Sequence, residues 1–434
     1  MSQIPSRPKL PYRLCIIGNN AKSVAAATAL AYFGHTVHLL TLSDSPEEHI
    51  KRYVFDKPLC QQWHKSIDDG SIIYEALRKT GRIIQAVTND EFDGYWLFLD
   101  QMPEAEQSEV LQMLNHTDIH VILSGVVELG RIHDISVGIA STHVFYMPFT
   151  FLDEASIFTA TIKPKLLMVG EKSPNTAREN PIIATFLAHS QQQQVHSIMV
   201  IEFARSSMMN IVASKLSLIN EMARLADACQ VDMLEVVEVL KLDSRIGTGF
   251  LHPSWGYGGS TLQKEVDFLK SSLASRYVSN KLVHEVDRIN TDQKELIFRK
   301  LWCHFDSDIT GKTVVIWGAG YKSGTGRTKN SAIHHILPLL WAYDVRTIIY
   351  DKLARTELET LYPNDSRLKF TDDAYQDLNV ADALIIINWS DDKSPDIDLL
   401  SKASVPIFDA KNLLTKSNIQ SLEGFYTGIG RGFM

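Results

Sequence analysis

The sequence predicts an α/β protein: two Rossmann-like, doubly wound domains joined by a central helical domain with one long helix. Three observations predict it. A strand–turn–helix pattern opens near each end of the chain, at Arg13 and again at Val314. Strand-like and helical stretches alternate after each opening, as a parallel sheet requires. Between them, residues 202–230 carry apolar side chains at Met209, Val212, Leu216, Ile219, Ala223 and Ala226, in steps of three and four.

The elements follow in order. Residues 13–17 form a short apolar strand, and Gly18 to Ser23 turn into an Ala-rich helix over 24–33. Gly34 ends that helix, and 37–40 is the next strand. Strands are expected at 95–99, 120–123 and 143–146. Gln191–Gln194 reads as a polar loop that closes the first domain. Helices then run to about residue 300. From Gly311 the second pattern begins: a strand at 314–317, a glycine-rich turn from Gly318 to Gly326, and a helix at 331–343. Strands recur at 347–350, 383–387 and 406–408. The expected domains are 1–195, dinucleotide-binding in type; 196–304, helical; and 305–434, a second Rossmann-like domain.

Composition limits the function. The chain has 434 residues, 45% hydrophobic and 22% charged, which suits packed domains and argues against disorder. The net charge is -8 and no Lys/Arg-rich run occurs, so no nucleic-acid partner is expected. The N-terminal segment has no apolar core of signal type, and no apolar run reaches the ~18 residues of a membrane helix. Four dispersed cysteines without a CxxC pair fit free thiols, and a cytoplasmic location without membrane attachment is expected. No histidine spacing resembles a metal site, so none is expected.

One stretch is far more specific. It reads Asp243-Ser-Arg-Ile-Gly247, Phe250-Leu251, Gly256-Tyr-Gly-Gly-Ser260, Lys264 and Leu269, with Asn220-Glu221 on the preceding helix. The flanks add Phe151-Leu152 and Glu154, Lys163-Pro-Lys165 and Gly170, Tyr321-Lys322, Asp409 and Asn412, and the closing Gly428-Ile-Gly-Arg431. Together they resemble the UDP-glucose/GDP-mannose dehydrogenase family over nearly the whole chain. The resemblance implies oxidation of the C6 alcohol of a nucleotide sugar to a carboxylate, with two NAD molecules used in turn. It also implies a UDP-binding C-terminal domain and a homodimer joined through the central helix. The resemblance implies chemistry through a cysteine thiolate that captures the aldehyde; the second hydride transfer to NAD gives a thioester, and water hydrolyses it and releases the thiolate, because a thiolate is both nucleophile and good leaving group at neutral pH. A lysine and an asparagine steady the oxyanion.

Several positions depart from that pattern. The family's Gly-Gly-Ser-Cys reads Gly258-Gly259-Ser260-Thr261, so the expected nucleophile position holds a hydroxyl. Lys264 is kept, and the acid beside it is Glu265. The lysine of the central helix falls at Arg205, whose planar fork is no substitute for a compact ammonium. The asparagine four residues on falls at Met209, which the stripe assigns to core packing, with Asn210 turned about 100° away. The family's Asn-Pro-Glu before Phe-Leu reads Pro148-Phe149-Thr150, so that carboxylate is absent, while Glu154 remains.

At the NAD turn only Gly18 of the G-x-G-x-x-G fingerprint survives, with Asn20 and Ser23 at the other two positions. Thr41 stands where an acid would hold the ribose, with Asp44 beyond it, and Leu99-Asp-Gln-Met-Pro103 replaces the family's loop over the cofactor. Weakened NAD binding is therefore expected. The UDP side departs less. Arg245, Phe250, Tyr257, Gly258, Lys322 and Asn412 stand at family sugar-nucleotide positions, while His252 and Lys411 replace a Lys and an Arg.

The reading is a nucleotide-sugar dehydrogenase homologue impaired for two-step oxidation. It would bind a UDP-sugar as a regulatory or assembly subunit of polysaccharide-precursor metabolism, as a homodimer or beside an active paralogue. The alternative is an active NAD-dependent UDP-sugar 6-dehydrogenase with altered chemistry, ending at the aldehyde or at UDP-glucuronate. Arg205, Glu154, Lys264 and Glu265 would then carry proton transfer and charge stabilisation.

Overall fold

The structure, a computed structural model, describes residues 11–41, 50, 56–76, 92–114, 119–149, 156–391 and 393–431. The chain divides into two compact units, 1–207 and 208–434.

Unit 1 is built on an eight-stranded sheet. Its strands are β1 (Arg13–Ile17), β2 (Thr36–Thr41), β3 (Ile72–Ala76), β4 (Gly94–Phe98), β5 (His120–Ser124), β6 (Val144–Tyr146), β7 (Leu166–Glu171) and β8 (Gln192–Ser197). The spatial order is β3-β2-β1-β4-β5-β6-β7-β8. Pairing is parallel except between β6 and β7, where Phe145 faces Glu171 and Tyr146 faces Gly170. Cys15, Ile16 and Ile17 are fully buried, as expected for a strand covered on both faces. The helix Ala21–Tyr32 buries an almost unbroken small-residue run from Ser23 to Ala31, so it lies close against the sheet. A side chain at Gly170 would come within 2.8 Å of the Ile198 Cα, so the glycine lets the next long helix pass at close range.

Gln191–Gln194 is not a loop. Gln192–Ser197 forms β8 and pairs with β7 in parallel from Leu166↔Gln192 to Glu171↔Ser197. It lies at the edge of the sheet and its side chains are almost all exposed, so it carries no apolar alternation to betray it. It runs directly into the 32-residue helix Ile198–Cys229.

Unit 2 continues from this helix through Met233–Leu240, Thr261–Ser275, Lys281–Gln293 and Leu296–His304 to a second sheet. That sheet comprises β9 (Thr313–Trp317), β10 (Arg346–Tyr350), β11 (Leu368–Phe370), β12 (Ala383–Ile386), β13 (Ile407–Asp409) and β14 (Tyr426–Gly428). It is ordered β11-β10-β9-β12-β13-β14, and every pair is parallel. This is the doubly wound order, with its reversal between β9 and β12. The fold is α/β with two sheets and a helical region that includes one long helix. Among the described residues no helix is long and apolar enough to cross a membrane.

The buried stripe of the long helix differs from the sequence expectation. Ile219, Ala223 and Ala226 are buried, but Met209, Val212 and Leu216 are only half-buried. Their inward neighbours are Asn210, Ala213, Ser217 and Asn220. Hydrogen bonds hold the polar ones inside. Asn210 Nδ2 donates to the Glu265 carbonyl at 3.3 Å, Ser217 Oγ to the Val286 carbonyl at 2.8 Å, and Asn220 Oδ1 accepts from the Ser254 amide at 2.9 Å. Polar staples to three following segments turn the helix by one residue relative to its hydrophobic pattern.

Candidate functional site

In each sheet the crevice lies at the carboxyl ends of the strands where the order reverses, and there a glycine-bearing turn leads into a helix or loop. In unit 1 this is the end of β1, facing β4. Gly18 follows β1, its amide bonded to the Leu40 carbonyl at 3.1 Å. Asn20 is the N-cap of the helix Ala21–Tyr32: its Oδ1 accepts from the Lys22 amide at 2.8 Å. Ser23 Oγ accepts from the Asn20 amide at 3.1 Å and completes a capping box. A side chain at Gly18 would stand 2.5 Å from Ser23 Cβ, so this glycine is fixed by the packing of Ser23. Thr41, at the end of β2, donates to Asn19 Oδ1 at 2.8 Å.

Along the same edge, Trp96 Nε1 donates to Ser124 Oγ at 2.9 Å, and that hydroxyl donates to the Met147 carbonyl at 2.5 Å. Arg205 is buried on the long helix, within electrostatic reach of Tyr146 at the end of β6. Burial pushes the Tyr146 phenol far above its usual range, and Arg205 opposes that rise. Glu202, one turn earlier, accepts from the Ile132 and His133 amides at 3.0 Å each, at the start of the helix Arg131–Gly138. Burial raises its pKa against those bonds. Glu154, Phe151, Leu152 and Asp44 lie outside the described residues.

In unit 2 the loop 250–260 is seated on the carboxyl edge of the second sheet. The Trp255 amide donates to the Ala410 carbonyl at 2.8 Å, and its indole donates to the Ile387 carbonyl at 3.0 Å. Tyr257 exchanges hydrogen bonds with the Asn290 side chain, at 2.8 and 3.2 Å. Its phenol is buried, and burial drives its pKa up with Asp287 and Asp267 adding to the rise. Gly256 has φ +102°, and a side chain there would collide with Asn290 Oδ1. Gly258 lies against the loop that carries Tyr321 and Lys322: a side chain would stand 2.7 Å from the Asn330 carbonyl and 2.8 Å from Tyr321 Cβ. Asn330 Nδ2 donates to the Gly259 carbonyl at 2.7 Å.

The structure thus brings Tyr257, Gly258, the Lys322 loop, His252 and Asn412 to one edge. His252 Nε2 is 2.9 Å from the Lys411 carbonyl. Asn412 has φ +53°; its Nδ2 donates to the Pro253 and Ile429 carbonyls at 3.0 and 2.8 Å, and its Oδ1 accepts from the Ile429 amide at 3.0 Å. It is a staple between the loop and the last strand. Burial pushes the Lys411 ammonium down, against Asp409. Lys322 is exposed on its loop. Arg245 and Phe250 are exposed, Arg245 clasped by Asp243 at 2.5 Å and Phe250 45% exposed at φ +61°.

Thr261, half-buried, opens the helix Thr261–Ser275; Lys264 is half-buried and Glu265 is buried one turn on. Arg205 belongs to unit 1, and those three belong to unit 2.

Three groups were not read from the sequence. Gln101 reaches the first turn, where its Oε1 accepts from the Asn19 amide. Asn290 and Gln293 hold the substrate-type loop, Gln293 through the Ser254 carbonyl at 2.9 Å. Asp351, at the end of β10, accepts from the amides of Ala319 and Gly320 at 2.9 and 3.3 Å. The acid thirty-odd residues after a G-x-G turn was a legible signal for Asp351. Gln101 stood in the Leu99–Pro103 segment read as a departure over the cofactor, but its bond to the Asn19 amide, 82 residues away, left no trace in the sequence.

Residues 200–292 match the central domain of the UDP-glucose/GDP-mannose dehydrogenase family, and residues 315–416 match that family's UDP binding domain. The chain belongs to the UDP-glucose/GDP-mannose dehydrogenase family. This member is 29% identical over 290 residues to the UDP-glucose 6-dehydrogenase of Pseudomonas aeruginosa, covering 65% of this chain and 64% of that one, slightly under two thirds. Against the UDP-glucose 6-dehydrogenase of Rickettsia bellii it is 23% identical over 447 residues, covering 96% and 99%. Its fold is similar to that of a UDP-glucose dehydrogenase from Pyrobaculum islandicum, at TM-score 0.79 and 17% identity over 99% of this chain and 100% of that one. A UDP-D-ManNAc dehydrogenase from Pyrococcus horikoshii gives 0.76 at 16% identity, over 97% and 99%.

Proposed function

We propose that this family member binds a UDP-sugar at the carboxyl edge of its second sheet and does not carry out two-step oxidation of the C6 alcohol. The observation that carries the reading is the pairing of a stapled 250–260 loop with a threonine at the head of the helix that follows it. A threonine hydroxyl is almost wholly protonated near neutral pH, and an ester through it lacks the leaving group of a thioester. Glycines 256, 258 and 259 provide close backbone approach and Lys322 and Lys411 positive charge for a diphosphate, with His252, its pKa lowered by burial, a neutral neighbour. Arg205 replaces the compact ammonium that an oxyanion would need. The three-part division at 195 and 304 and a cytoplasmic location belong to the same reading.

A homodimer is part of it. The long helix exposes Phe203, Ile211, Leu218, Met222 and Leu225, a stripe at steps of three, four, seven and eight along one face. A second copy of this chain offers the same stripe, as a two-fold interface requires. An active paralogue with the same helix is the other partner this stripe fits.

The experiment is a thermal titration with UDP and UDP-glucose, followed by product analysis with UDP-glucose and NAD. Ligand at about 100 times its dissociation constant adds about 2.7 kcal/mol, which is readily seen as a higher melting temperature. A shift without UDP-glucuronate is expected. Formation of UDP-glucuronate, or of the aldehyde, overturns the impaired reading in favour of an active dehydrogenase with altered chemistry. No shift with either nucleotide overturns the binding reading.

A further inference from the structure

We infer that the first nucleotide turn of this chain is closed to NAD by the chain's own side chains, with Gln101 taking the place of the pyrophosphate. This deepens the reading above and rests on it only for which cofactor is expected. A dinucleotide needs free amides at the start of the helix, bare backbone at the second and third fingerprint positions, and a ribose partner at the end of the second strand. Each of these is engaged here.

The Asn19 amide donates to Gln101 Oε1. The Asn20 amide donates to Ser23 Oγ at 3.1 Å, and the Lys22 amide to Asn20 Oδ1 at 2.8 Å. Ser23 Oγ also donates to the Asn20 carbonyl at 2.8 Å and stands 3.4 Å from Gln101 Oε1. Thr41, at the ribose position, is bonded to Asn19 Oδ1 at 2.8 Å. An acceptor oxygen, that of the Gln101 amide, therefore sits on the turn where a phosphate oxygen would bind.

The plug is fixed in place. Gln101 ends a tight turn over Leu99–Gln101, and the buried Gln107 donates through Nε2 to the Leu99 and Met102 carbonyls at 2.9 Å each. Asp100, the neighbouring residue, adds a carboxylate to the same edge, which works against a polyanion. Entry of a pyrophosphate would have to expel Gln101 and break the capping box together.

The test is calorimetric titration of the full chain with NAD, with UDP-glucose titrated in parallel. Wild type is expected to bind NAD more weakly than about 1 mM. Gln101→Ala, which leaves the capping box intact, is expected to tighten NAD several-fold. The triple variant Asn20→Gly, Ser23→Gly, Gln101→Ala, which rebuilds the fingerprint, is expected to tighten it at least about tenfold, since it frees all three amides. Wild-type binding below about 100 μM overturns the inference. So does an absence of gain in Gln101→Ala when its melting temperature stays at the wild-type value, a result that decides the matter even if the triple variant does not fold. UDP-glucose failing to bind any of these proteins would sink the substrate reading and leave the closed turn standing.

Discussion

Position 261 holds a hydroxyl one residue past a Gly-Gly-Ser turn, at the head of the helix Thr261–Ser275. Thr261→Cys alone is expected to yield no UDP-glucuronate from UDP-glucose and NAD, because Arg205, Met209 and the closed first turn remain. Chromatographic detection of that acid with the single variant would refute this. Asn412 is a different kind of residue. The sequence singled it out as a candidate binding residue but did not show its environment: the side chain joins Pro253 to Ile429 by three backbone bonds. Asn412→Ala leaves buried backbone groups without partners and is expected to cost about 2–4 kcal/mol, read as a lower urea midpoint. An unchanged midpoint would show that water replaces the staple. Thr261 was readable because its meaning is chemical. The staple was not, because its partners lie 159 and 17 residues away.

At the scale of elements, the long helix shows how hydrophobic periodicity misleads. Counting apolar steps placed Met209, Val212 and Leu216 inward, whereas Asn210, Ala213 and Ser217 are buried. A buried polar side chain with a partner costs little, so the tertiary hydrogen bonds decide which face turns in. Met209, Val212 and Leu216 are left half-buried, and Phe203, Ile211, Leu218, Met222 and Leu225 form the exposed stripe. Leu218→Glu with Leu225→Glu, at positions 56% and 65% exposed, is expected to convert a dimer to a folded monomer, seen as a halved mass by light scattering with unchanged circular dichroism. A dimeric mass in the double variant would remove this stripe from the interface. The edge strand Gln192–Ser197 was missed for a related reason: exposed and paired on one side, it needs no apolar residues, only backbone partners in β7.

For the whole molecule, the ion-pair network around Asp292 couples three helices of unit 2. Asp292 accepts from Arg299 and Arg224 at 2.5 Å each, and the hydrogen bond from Arg299 above all holds its carboxyl below the ordinary aspartate value of 3.8. A depressed acid contributes stability that is full above the unfolded value and is lost as pH falls through the folded one. Asp292→Asn is therefore expected to lower the melting temperature at neutral pH, with the difference from wild type closing below about pH 3.8. A difference that stays constant down to pH 2 would mean that packing, not charge, is at work. Buried Asp409 runs the other way: desolvation raises its pKa, so its ionisation weakens the fold as pH rises. Comparing wild type with Asp292→Asn cancels that opposing contribution.

The sequence by itself determined the two α/β ends, the helical middle and the family, and which residue types stand at 261, 205, 20 and 23. These are properties of local pattern and residue type: a buried parallel strand must be apolar, and a hydroxyl is not a thiol wherever it sits. The tertiary structure alone decided that Gln101 closes the turn at Asn19, that Asn210 rather than Met209 faces inward, and that Asn412 is a staple. Each depends on a polar side chain meeting a backbone group far along the chain, and hydrogen bonding at that range leaves no periodicity in the sequence.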